Sequence, residues 1–140
     1  MYEAKLIGLD QARAAVDVVL AKAGEDRQRP IVVAVADSEG DLVAFARMDG
    51  AGYLARSMAV RKAYTAARMG SDSGAFGERM ESIVSALNDL GDPKLVGFKG
   101  GVCVRAGDHV IGAVGVSGRS AAEDEDLARA AVDALADSGD

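Results

Sequence analysis

The chain has 140 residues, 49% of them hydrophobic and 27% charged; that length fits one domain over residues 1–140, and the balance supports a buried core rather than a disordered segment. Its 22 acidic residues outnumber 16 basic ones for a formal charge of −6, and three Tyr, three Phe and no Trp offer few stacking rings. Both facts argue against a nucleic-acid partner and against electrostatic attachment to a membrane. One cysteine, Cys103, excludes an intrachain disulfide, and with one histidine, His109, it leaves too few ligands for a Cys/His metal site, so none is expected.

The chain opens without a basic start followed by an apolar run, and no stretch approaches the about 18 apolar residues of a membrane span. The expectation is a cytoplasmic protein. Alanine fills 27 positions, so the core should bring helices close to a tight sheet.

Taken in chain order, residues 10–24 read as a helix, with Asp10 as N-cap, an apolar stripe from Ala12 to Ala23 and Gly24 at the stop. Ile31-Val32-Val33-Ala34-Val35-Ala36 is apolar throughout, as in a strand covered on both faces. Gly40 lies in the Asp37–Asp41 turn, and Leu42 to Arg47 returns as the second arm of a hairpin. Tyr53 to Met69 reads as a long helix ended by Gly70. Residues 71–91 suggest one or two short helical pieces with Met80, Ile83, Val84 and Leu87 on one side. Leu95-Val96-Gly97-Phe98 suggests a short strand.

Residues 102–105 and 110–116 flank Ala106-Gly107-Asp108-His109 and predict a second hairpin. Ser120 and Glu123 then form a capping box, and Glu123 to Asp126 place acid at the positive end of a helix running to about Ala136. Hairpins rather than strand–helix–strand crossovers dominate. The expected class is α+β, a mostly antiparallel sheet with helices on both faces.

Between residues 47 and 68 the sign of the charge reverses: Arg47, Arg56, Arg61, Lys62 and Arg68 stand against Asp49 alone. Such a reversal is a candidate anion site, although each cation is equally at home on a solvated helix face. Lys62 shares a helix face with Met58, Thr65 and Met69, largely uncharged company that would let its amine enter a cleft. Gly97, Gly100 and Gly101 could bring backbone N–H groups to a ligand or simply shape a turn. No nucleotide-binding fingerprint and no Gly-x-Ser-x-Gly elbow is present. His109, at a hairpin tip, could serve as an axial haem ligand or a base, but its position reads first as exposed loop. Cys103 alternates with valines and reads as strand packing. Met48, Met58, Met69 and Met80 read as core rather than as soft ligands.

Several strings together carry a family resemblance: Asp37-Ser38-Glu39-Gly40-Asp41-Leu42-Val43-Ala44, Arg47-Met48-Asp49-Gly50-Ala51, Lys62-Ala63-Tyr64-Thr65-Ala66-Ala67, Gly100-Gly101, and Ile111-Gly112-Ala113-Val114-Gly115-Val116-Ser117-Gly118 with Asp124. In this order, over nearly the whole chain, they resemble the GlcG family, which includes haem-binding HbpS-like proteins and the C-terminal domain of PduO-type proteins. The resemblance implies a profilin-like, three-layer α/β/α fold with a five-stranded antiparallel sheet. It also implies homo-oligomers, dimer or higher, and haem or corrinoid binding in some members. The sequence departs from the family in having Val102-Cys103 after the Gly-Gly, where Pro is usual, and no histidine near the first helix.

The leading expectation is an oligomeric small-molecule-binding protein for haem, another tetrapyrrole or an acidic ligand, with Arg47, Asp49, Lys62, Thr65, Gly100 and Gly101 at the site. Arg47 and Lys62 would face carboxylates, and Gly100-Gly101 would offer backbone donors. The alternative is a cofactor-independent enzyme on a small organic acid, with Lys62 as base or electrostatic stabiliser and Asp49 as its acid–base partner. Both place the site in a cleft between the residue 53–69 helix and the Gly100-Gly101 loop. A third reading, an oligomeric scaffold, has that space filled by side chains.

Overall fold

A computed structural model describes residues 1–81 and 87–138. Helix α1 spans Leu9–Ala23 and buries Ala12, Ala15, Val16, Val19 and Ala23. Its N-cap is Gly8, not Asp10: the Gln11 side chain accepts the Gly8 N–H at 3.1 Å, and Asp10 sits in the first turn, where the helix dipole favours it. Strands β1 (Val32–Asp37) and β2 (Leu42–Arg47) form the first hairpin. At its turn Gly40 takes φ 92°. The Asp37 carboxylate accepts the N–H groups of Glu39 at 2.9 Å and Asp41 at 3.2 Å.

Helix α2 runs Tyr53–Met69 and closes on Gly70, which takes φ 65° and donates its N–H to the Ala66 carbonyl. Helix α3 (Ser73–Glu81) and a single 3-10 turn (Leu87–Leu90) follow. The second hairpin is β3 (Gly101–Ala106) and β4 (His109–Ser117), and α4 covers Ala121–Asp137. The expected capping box is formed: Ser120 Oγ accepts the Glu123 N–H at 3.2 Å while Glu123 accepts the Ser120 N–H at 3.4 Å.

All strand pairings are antiparallel in the order β2-β1-β4-β3. Among the described residues the sheet therefore has four strands, not five. The apolar run at residues 95–98 is a connector rather than a strand. Leu95 and Val96 are buried, but the Val96 N–H donates to Thr65 Oγ1 on α2 at 3.0 Å instead of to a neighbouring strand. Gly97 lies so close to Gly77 of α3 that a side-chain carbon on either would collide with the other's backbone. The buried face of α3 is Ser73, Gly74, Phe76 and Gly77 rather than the Met80 side. Ile83 and Val84 lie outside the described residues.

Three layers result. Helices α1 and α4 cover one face of the sheet, meeting Val33, Val35, Val102, Val104, Val114 and Val116. Each valine removed from water there stabilises the fold by about 1.5–3 kcal/mol. Helix α2 covers the other face, where Ala59, Ala63, Ala66 and Ala67 meet Val32, Ala34, Ala36, Cys103 and Ala113. Small side chains on both surfaces let backbone approach backbone: a Cβ on Gly115 would strike the Ala59 carbonyl and the Ala63 nitrogen. The alanine richness of the chain is used here, in close dispersion contact rather than bulky burial.

Candidate functional site

Lys62 leaves the sheet-facing side of α2 and is only 4% exposed. Its ammonium donates to the Val116 carbonyl of β4 at 3.0 Å and to Asp124 Oδ2 in the first turn of α4 at 3.2 Å. The other oxygen of Asp124 accepts the Arg119 N–H at 2.9 Å. Burial pushes the Asp124 carboxyl above its ordinary value, against the opposing pull of the Arg119 N–H, the Lys62 ammonium and the Gly118 N–H. An ion pair this deep is tolerable because the remaining lone pairs are bonded.

Gly100 packs directly on this lysine. It takes φ 135°, and a Cβ there would fall 2.7 Å from Lys62 Cδ and 2.8 Å from Nζ. Its carbonyl accepts the Val116 N–H at 2.9 Å. The Gly101 N–H donates to Ser73 Oγ at 2.9 Å, and that hydroxyl donates to the Phe98 carbonyl at 2.6 Å. Thr65, fully buried, donates to the Arg61 carbonyl at 2.8 Å and accepts from Val96. The fold thus gathers Lys62, Thr65, Gly100 and Gly101 into one region, but the lysine stem itself occupies the space between α2 and the glycine loop.

Arg47 and Asp49 are elsewhere. Both are exposed and line a shallow depression of about 350 Å³ with Leu20, Gly24, Arg27 and Met48. The Met48 sulfur is engaged, accepting the Ile31 N–H at 3.4 Å. Nor do the other cations of residues 47–68 converge. Arg61 donates to the Pro93 carbonyl and Arg68 to the Glu39 carbonyl, each at 2.6 Å. Arg56 lies over the Tyr53 ring. The local reversal of charge is therefore dispersed over separate tasks and does not form a single anion cleft.

Two residues that sequence reasoning undervalued organise this region. Asp124 sits inside an acidic run that reads as helix-dipole complement, yet it is 2% exposed and holds Lys62. Arg119 donates to the carbonyls of Ala23, Asp26 and Arg29, tying the end of α1 to the start of α4. A buried acid can be told from its neighbours here only by the i to i+3 spacing of Asp124 with Leu127, which puts it on the inward face. Cys103 is buried, and burial pushes its thiol up to about 11. Asp37, Glu39 and Asp41 bring three carboxylate oxygens within 4.8 Å of one another on the exposed hairpin turn, a proximity that the turn's own hydrogen bonds account for.

The order of these elements and the Lys62, Gly100-Gly101 and Asp124 cluster can be set beside known proteins. The family model described as haem degrading protein HbpS-like matches residues 7–133. The chain belongs to the HbpS-like family. Protein GlcG of Escherichia coli K12 is 33% identical over 102 residues, covering 71% of this chain and 75% of GlcG. A solved double mutant of HbpS from Streptomyces reticuli superposes with a TM-score of 0.87 at 29% identity, over 96% of this chain and 90% of that one. A solved PduOC–haem complex superposes with a TM-score of 0.84 at 25% identity, over 92% and 94% of the two chains. Full-length PduO of Salmonella typhimurium is longer, and this HbpS-like chain spans 33% of it.

Proposed function

We propose that this HbpS-like chain is a homo-oligomeric, cytoplasmic small-molecule-binding protein whose ligand is haem, another tetrapyrrole or a similar anionic molecule. The observation that carries this reading is the match, over nearly the full chain, to a relative solved with haem bound. Self-association draws support from the apolar side chains left exposed at the sheet edge and the start of α2: Leu42, Phe45, Tyr53 and Leu54. Among the described residues, no helix is long and apolar enough to cross a membrane. Of the residues expected at the site, Arg47 and Asp49 are open to a ligand. Lys62, Thr65, Gly100 and Gly101 are buried, and Lys62 joins α2, β4 and α4.

The enzyme reading, with Lys62 as base, draws less support. The Lys62 amine is buried and taken up by the Val116 carbonyl and Asp124, and its own stem fills the space in which a substrate would have to meet it. The test is titration of the purified protein with haemin. A saturable change in the Soret band at fixed stoichiometry is expected; a change that never saturates overturns the haem reading. Native mass spectrometry of protein isolated from its own host reports on the same preparation the copy number and any ligand carried along.

A further inference from the structure

The sheet ends on two edge strands, β2 and β3, and the fold treats them differently. Outside β3 the N–H groups are taken. Gly101 donates to Ser73 Oγ at 2.9 Å and Cys103 to Asp72 Oδ1 at 3.0 Å, and Arg129 holds that aspartate at 2.7 Å. Side chains at the start of α3 therefore close this edge to a further strand.

The β2 edge has no such cover. Met48 donates its N–H inward, to the Ile31 carbonyl at 3.0 Å. In an antiparallel ladder a residue turns its N–H and C=O to one side, and its neighbours turn theirs to the other. Phe45 and Arg47 therefore point their main-chain groups outward, where nothing among the described residues bonds to them. One face of β2 is open as well, because α2 lies over β1, β3 and β4 and barely reaches it. Leu42 and Phe45 oppose Ala36 and Ala34, which face α2, and they stand uncovered at 51% and 43% exposure. No Pro or Lys blunts the strand, and its one bulge leaves Ala44 to Arg47 in regular pairing.

The charge along this hairpin is complementary to itself. Asp37, Glu39 and Asp41 crowd the turn, while Arg27 and Arg47 outnumber Asp49 at the other end. A parallel neighbour would set acid against acid. An antiparallel copy of the same hairpin brings Arg47 of each to the Asp41 end of the other.

We propose that β2 is the pairing edge for a second copy of this chain. The two β2 strands run antiparallel about a two-fold axis at Phe45, the two Phe45 residues exchange N–H···O bonds, and the sheet continues through eight strands. A contact of this kind uses the same patch on both copies and closes on itself, giving a pair rather than a filament. The inference rests on the self-association reading above and names the surface that carries it.

Native mass spectrometry and amide hydrogen exchange on the intact chain test it. In the wild type the Phe45 and Arg47 amides should be protected, although a single copy gives them no acceptor. Phe45→Lys should halve the copy number and release both amides, with circular dichroism unchanged because the side chain is exposed. Arg47→Glu should also favour the smaller species, and adding Asp41→Arg should restore the larger one. Phe98→Lys, at an apolar residue 62% exposed beside the β3 edge, should change neither reading. If the wild type is oligomeric but Phe45→Lys leaves copy number and amide protection unchanged, another surface joins the copies and this assignment is overturned. If the wild type is a monomer whose Phe45 and Arg47 amides exchange freely, the self-association reading falls with it.

Discussion

The Lys62 ammonium and the Asp124 carboxylate stand 62 positions apart in sequence and meet at 3.2 Å, with 5% and 3% of their side chains exposed. Because Val116 accepts from the same ammonium, this is where α2, β4 and α4 are joined.

Removing one partner strands the other as a buried charge. Lys62→Met or Asp124→Leu should each lower the unfolding free energy by about 3–5 kcal/mol, whereas the two substitutions combined should recover most of the loss. Denaturant titration of the four proteins completes the double-mutant cycle. A double-variant loss equal to the sum of the two single losses would mean that the pair is not coupled.

Tyr64 donates its hydroxyl to Asp92 Oδ2 at 2.7 Å, fastening α2 to the turn before the connector. That bond, helped by burial, raises the phenol above 10.0; the same bond, with the Lys94 N–H, lowers the Asp92 carboxyl below 3.8 against the pull of burial. The signs follow by linkage. The stability from Tyr64 is fully present below pH 10.0 and lost as pH rises through the raised value. That from Asp92 is fully present above pH 3.8 and lost as pH falls through the lowered value. Asp92→Asn should bring the Tyr64 titration back down, read as phenolate absorbance, and Tyr64→Phe should remove that titration altogether.

The Cys103 thiol, pushed up to about 11 by burial, donates to the Ala66 carbonyl at 3.3 Å. Only the thiolate is nucleophilic, so the folded protein should react very slowly with a thiol-specific disulfide reagent at neutral pH. Unfolding in denaturant should release one fast-reacting thiol per chain. Fast reaction of the folded protein would show that the layer between β3 and α2 opens readily.

Glycine punctuation made much of the fold legible in sequence. Gly40 and Gly70 take the positive φ that their turn and helix end require, so the first hairpin and both ends of α2 fall where expected. Residues 95–98 misled because their composition is that of a strand while their hydrogen bonding is not. The Thr65 hydroxyl claims the Val96 N–H, and nothing local to the segment announces this. The site was legible as a neighbourhood but not as an arrangement. The face shared by Lys62 and Thr65 follows from helical spacing, but the partner of Lys62 comes from another helix, hidden in a row of acids.

The contact of Gly115 with the backbone of α2 has a consequence for how the molecule can change. On the α1 and α4 side, valines and leucines meet across space that neighbouring rotamers can redistribute, and substitutions there can be traded against one another. On the α2 side the interlocking parts are main chain, which has no rotamers to redistribute. Variation should therefore accumulate on one face of the sheet and be purged from the other. An engineer adding bulk for stability should work only from the side of α1 and α4.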